Sequence, residues 1–247
     1  MLKRLWKKIK DAKINKNILK DETKFLKDTD RYNFFGYFMN QEREMPVFIT
    51  EGEVKDDCRM GEFIYVYTPK MLEHCVKYLT EEAKLKEAQD IESFKKKCNK
   101  LSERAIYQNE SWEYKIKSLS TYLQDFKKAK KHEKTVLKRN NIYECFDLGS
   151  NLDVWVPFFY TYEEKARYPK FSERWVATPK ILKHCVEHMS DSLKQHYAKY
   201  PDRFIENCEF IMNSDKDELF LKEDWQNMIK SLVEYLNEYN KININNI

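Results

Sequence analysis

The residues best suited to hold a metal are His184, Glu187 and His188, which spell H-x-x-E-H within "TPKILKHCVEHM" at 178–189. On a zinc-peptidase helix this spacing sets two imidazoles one turn apart as ligands, with the glutamate as general base. A softer set is His74, Cys75 and Cys98, which recurs as His184, Cys185 and Cys208; two thiolates and an imidazole suit zinc. A Cys-His nucleophile is the weakest of these readings. Adjacent residues in a helix point about 100° apart, and no oxyanion loop is visible.

Each of these readings meets the same test, because the stretch has a twin. "TPKMLEHCVKYL" at 68–79 aligns to 178–189 without gaps, with seven of twelve positions identical. "MPVFIT" (45–50) matches "VPFFYT" (156–161), Phe94 and Cys98 match Phe204 and Cys208, and "ESWEYKIKSLSTYL" (110–123) matches "EDWQNMIKSLVEYL" (223–236) at eight of fourteen positions. The blocks keep their order, and the offset moves only from 111 to 110 to 113. Such self-similarity predicts a tandem duplication. The twin places Lys77 and Tyr78 where the zinc reading needs Glu187 and His188. Both copies keep His-Cys-Val, in which the cysteine and valine fall on an apolar stripe. A packed amphipathic helix therefore explains the stretch better than a metal site, and a buried cysteine behaves as a small hydrophobe. No catalytic residue, metal ligand or cofactor site is assigned. Polar residues that match between the copies are the candidates for binding a partner: Lys70 and Lys180, His74 and His184, Lys117 and Lys230.

The elements that must carry these residues follow from pattern. Strands are expected at Phe34–Met39, Met45–Thr50 and Glu62–Tyr67, and in the second copy at Val154–Thr161 and Arg174–Ala177, since these stretches are rich in aromatic and β-branched residues. A helix opens at Thr68-Pro69 and again at Thr178-Pro179, where threonine caps and proline fits the first position. A second helix presents Ile91, Phe94, Cys98, Leu101 and Ala105, and a third opens near Ser111 or Asp224 and buries Trp112 or Trp225. The fold expected is α+β and helix-rich: a duplicated unit of two or three short strands and three helices. The layout expected is a basic amphipathic segment at 1–31, unit 1 at 32–128, a basic linker at 129–142, unit 2 at 143–241 and a tail at 242–247.

Composition limits the function. Charged residues make up 35% and aromatics 15%, which argues for a folded chain with a charged surface and against disorder. With only four glycines, no G-x-G-x-x-G or Walker A loop occurs, which removes the usual nucleotide sites. No apolar run reaches the roughly 20 residues of a membrane span. The six cysteines lack C-x-x-C spacing and no secretory signal is seen, so reduced thiols in a cytoplasm are expected. Residues 1–28 and 127–139 each carry a net charge of +6, against +4 for the whole chain. A basic segment with Leu2, Leu5, Trp6 and Ile9 on one face could lie on a membrane through residues 1–20. The two basic segments together could meet nucleic acid, although the second lacks the interleaved aromatics of a stacking surface. The expectation is a non-enzymatic interaction protein, an inhibitor, adaptor or immunity-type factor whose partner is another protein. The alternatives are a metal-dependent hydrolase at His184, Glu187 and His188, and a nucleic-acid binder.

Overall fold

Aromatic and β-branched residues suit a pleated, half-buried surface, and at 32–40 and 43–50 they form one. Strand β1 (Tyr32–Asn40) pairs antiparallel with β2 (Arg43–Thr50), with Phe35 opposite Phe48 and Asn40 opposite Arg43. The structure, a computed structural model, describes residues 22–40, 43–50, 54–55, 58–59, 63–103, 111–151, 154–161, 176–213 and 219–244. It divides into two units, Met1–Lys127 and Lys128–Ile247. The chain is α+β and helix-rich, with small antiparallel sheets.

In unit 1, residues 22–25 form a turn of helix ahead of β1. After β2 come a small hairpin, β3 (Val54–Lys55) and β4 (Cys58–Arg59), and then β5 (Phe63–Ile64), which extends the sheet in the order β1-β2-β5. Four helices follow: α1 (Pro69–Lys77), α2 (Glu81–Gln89), α3 (Ile91–Ser102) and α4 (Ser111–Val136). The Met71 N–H donates to Thr68 Oγ1 and Pro69 opens α1, as the Thr-Pro signal requires. Beyond α1 the chain returns to the sheet: the Tyr32 N–H donates to the Tyr78 carbonyl at 3.0 Å, and the Thr80 N–H to the Tyr32 carbonyl at 2.7 Å.

The core of unit 1 is a set of aromatic rings under these helices. Phe35 stacks on Phe48 at 4.1 Å, and Tyr32 and Phe94 meet that pair edge-on. Leu72, Cys75, Val76, Leu79, Cys98, Trp112, Leu119 and Leu123 close around them. Gly36 is required at its place, because a Cβ there would fall 2.2 Å from the Phe34 ring.

Unit 2 opens with the last turns of α4, in which Ala129 and Val136 are buried. Strands β6 (Cys145–Asn151) and β7 (Val154–Tyr160) form an antiparallel hairpin with Phe146 opposite Phe159 and Asn151 opposite Val154. Helices α5 (Pro179–Glu187), α6 (Asp191–Lys199), α7 (Pro201–Asn213) and α8 (Lys222–Ile244) follow. Phe146 stacks on Phe159 at 4.2 Å, with Tyr143 and Phe204 against the pair. The Tyr143 N–H donates to the His188 carbonyl and the Ser190 N–H to the Tyr143 carbonyl, both at 2.9 Å. Cys145 stands where unit 1 has Phe34, and Asp147 where it has Gly36. The smaller side chain removes the ring that a Cβ would strike.

The structure departs from the sequence reading at several elements. A fourth helix per unit, α2 or α6, was not expected. Its buried positions include Lys84 and Glu87, or Lys194, so no apolar stripe marks it. Helix α4 runs to Val136, through much of the stretch 129–142 read as a linker, because Lys130 and Glu133 pair with each other in the interior. Of the described part of the expected Glu62–Tyr67, the third strand covers Phe63–Ile64 and residues 65–67 lie outside it; Glu62 is outside the described residues. Of Arg174–Ala177 only 176–177 are described, and they are not a strand. The expected N-terminal helix, Ala105, Glu110 and Arg174 lie outside the described residues.

Candidate functional site

The H-x-x-E-H residues ride on α5, whose last helical residue is Glu187; His188 caps its end at φ −100° and ψ 12°. One nitrogen of each imidazole is taken by a different backbone carbonyl. His184 Nε2 lies 2.9 Å from the Arg139 carbonyl, and His188 Nδ1 lies 2.8 Å from the His184 carbonyl. A carbonyl only accepts, so each of these ring nitrogens carries the proton and donates it. The rings lie 4.2 Å apart. Glu187 is on the surface, 3.8 Å from Lys183. Desolvation, with the neighbouring His188 charge second, holds His184 below the usual histidine pKa. The neutral, hydrogen-bonded form is therefore favoured.

The twin histidine does a similar job. His74 is 8% exposed, as is His184, and faces the backbone of Asp28, the counterpart of Arg139. Its Nε2 makes no hydrogen bond of ordinary geometry there. Burial again lowers its pKa. Its ring stacks at 4.3 Å on Tyr78, which occupies the place of His188. His184 joins the end of α5 to the chain leading into β6, while His74 packs at the matching place in unit 1 without that bond.

The cysteines of the softer set are core atoms. Cys75, Cys98, Cys185 and Cys208 are buried and unpaired. Desolvation pushes the Cys185 thiol up to about 12 and raises the other three as well. A thiol held protonated is not a nucleophile. Among the described residues, no group of three or more His, Cys, Asp or Glu is placed to hold a metal ion.

The lysine candidates lie at the surface. Lys70, Lys117, Lys180 and Lys230 are exposed. Lys70 Nζ stands 4.0 Å from Glu22, whose buried carboxylate accepts from the Thr68 hydroxyl. Glu22 has its counterpart in Glu133, also buried. Neither glutamate was singled out from sequence, although "E-T-K-F-L-K" at 22–27 and "E-K-T-V-L-K" at 133–138 share Glu, Leu and Lys in register. The unit thus has matching residues ahead of the expected starts at 32 and 143.

Cations over aromatic rings were also missed. In unit 1, Lys86 lies 5.3 Å from the Phe34 ring centre and Lys100 lies 4.5 Å from that of exposed Tyr37. In unit 2, Lys199 and Arg203 flank exposed Tyr200 at 5.3 and 5.5 Å. Such contacts are worth about 0.5–1 kcal/mol at exposed sites. The pairs in unit 1 join different elements, so no local spacing reveals them. Comparison with protein-family models, with curated proteins and with solved structures gives no match.

Proposed function

We propose that this chain is a non-enzymatic interaction protein, built by tandem duplication of one α+β unit, that binds another protein as an inhibitor, adaptor or immunity-type factor. The observation that carries the reading is the use made of the matched chemical residues. The histidines that the copies share sit inside the fold against backbone groups, and the shared cysteines are protonated core thiols. Among the described residues, the matched polar side chains that are exposed include Lys70 and Lys180, Lys117 and Lys230, and Ser118 and Ser231. The duplication is supported by hairpins of identical register at an offset of 111 and by the same stacked pair of phenylalanines in each unit. No described helix is long and apolar enough to cross a membrane. The unpaired thiols suit a reducing compartment such as a cytoplasm.

The test is a pull-down with intact protein from its own cell, repeated with Lys70→Glu, Lys117→Glu, Lys180→Glu and Lys230→Glu combined. The reading expects one protein retained in fixed ratio by the parent and lost by the variant, with the melting curve unchanged. Stoichiometric zinc that disappears with His188→Ala would move the assignment to the hydrolase. Salt-dependent retention on DNA or RNA, with no retained protein, would move it to a nucleic-acid binder through 1–28 and 127–139.

A further inference from the structure

We propose that unit 2 docks on an anionic lipid surface through Lys131, Lys134 and Lys138, with Leu137 and Ile142 entering the apolar edge of the bilayer. Positions i, i+3 and i+7 share one helix face, so Lys131 and Lys134 on α4 and Lys138 in its closing turn form a stripe about 10 Å long. All three are exposed, and none has an acidic partner among the described residues. The one carboxylate of 127–142, Glu133, is buried and taken up by Lys130. The exposed charge of this stretch is therefore all positive.

Two further observations favour lipid. Leu137, the chain neighbour of the last lysine, is 40% exposed, and Ile142, four residues beyond that lysine, is 62% exposed. A bilayer accepts aliphatic side chains next to cations, whereas a phosphate backbone has no use for them. No Phe, Tyr or Trp occurs between Phe126 and Tyr143, so the stretch has no platform on which bases could stack. The corner is also held firmly. The Leu137 N–H donates to the Glu133 carbonyl, the Arg139 N–H to the Val136 carbonyl, and the Arg139 carbonyl accepts from His184. In unit 1 the matching corner keeps an exposed Leu26 and Lys27 but follows them with Asp28 and Asp30, both exposed, so its charge is balanced. The docking face belongs to unit 2 and stands apart from the protein-partner reading.

The experiment is co-sedimentation of the full chain with phosphatidylcholine vesicles, with and without about one-third phosphatidylserine, at about 0.1 M and about 0.5 M salt. A lysine near an anionic surface contributes about fivefold in binding, so the combined Lys131→Gln, Lys134→Gln and Lys138→Gln variant is expected to bind on the order of a hundredfold more weakly. Leu137→Ser with Ile142→Ser is expected to lose the fraction that survives high salt. Residues 1–20 are present throughout, so their contribution is common to every protein compared. Equal binding to neutral and anionic vesicles, or unchanged binding by the triple variant, overturns the proposal. Tighter binding to duplex or single-stranded oligonucleotides than to vesicles at the same salt, lost in the same triple variant, also overturns it and gives the stripe to nucleic acid.

Discussion

One backbone carbonyl is satisfied in two ways in the two units. In unit 1, Lys97 Nζ donates to the Phe35 carbonyl at 3.0 Å and pairs with Glu87 at 2.5 Å, with both side chains buried. In unit 2, Tyr197 stands at the place of Glu87 and Asn207 at that of Lys97. There the Tyr197 hydroxyl donates to the Phe146 carbonyl at 2.9 Å, and Asn207 Nδ2 donates to the hydroxyl at 3.3 Å. The need is the same, since a buried carbonyl must be paired. The means differ: an ion pair in one unit and a neutral pair in the other. The ion pair is the more fragile solution. Desolvation holds the Glu87 carboxyl above the usual range despite the opposing Lys97 charge, so the pair depends on both partners remaining in place.

Lys97 separates the two units most clearly. Lys97→Ala leaves a buried carboxylate and a carbonyl without their shared donor, and should cost about 3–5 kcal/mol by urea denaturation. Asn207→Ala, its counterpart, removes only a donor to a hydroxyl that keeps its own bond to Phe146. A cost of about 1 kcal/mol is expected there. Equal losses at the two sites would show that Glu87 finds another partner. A milder effect comes from importing the neutral pair into unit 1. Glu87→Tyr with Lys97→Asn should cost less than about 1.5 kcal/mol, well below Lys97→Ala alone, because the exchange preserves the hydrogen bond while removing both buried charges. If the double variant is as unstable as the single one, the two pairs do not serve one role.

Acid sharpens the contrast at the histidines. His184 is held below its usual pKa, so the unfolded chain binds the extra proton first. The stability from neutral His184 is full above about pH 6.5 and is lost as pH falls toward the folded value. Burial lowers His74 in the same direction, but its neighbour is Tyr78, which carries no charge in that range. His188→Tyr, which gives unit 2 the arrangement of unit 1, should therefore reduce the loss of stability between pH 7 and pH 5, read from urea midpoints. An unchanged pH slope would show that His188 does not act on His184.

Where one strong local signal coincided with burial, the sequence was readable. Thr68-Pro69 and Thr178-Pro179 announce α1 and α5, and Trp112 and Trp225, both buried, mark the last helix of each unit. Helices α2 and α6 escaped notice because lysine stems do the work of apolar residues in them. Lys84 lies over Tyr122 and Phe126, and Lys194 lies over Tyr235 and Tyr239. A buried cation reads as a surface residue until its ring partners, drawn from a distant helix, are known. Burial of the Lys130–Glu133 pair hid the last turns of α4 for a similar reason. At the candidate site the internal repeat was the useful signal: the twin has Lys77 and Tyr78 where a zinc helix needs Glu187 and His188. What it could not reveal was the acceptor of His184, the Arg139 carbonyl 45 residues earlier in the chain.

His184, the first histidine of the H-x-x-E-H stretch, belongs to the fold. Nitrogen-15 NMR of the imidazole side chains tests it most directly, through tautomer, titration and response to zinc. His184 is expected to be neutral at pH 7 with its proton on Nε2, to titrate below the usual 6.5, and not to shift when zinc is added. A His184 ring that titrates normally, and whose Nε2 signal moves together with that of His188 on binding one equivalent of zinc, would contradict it.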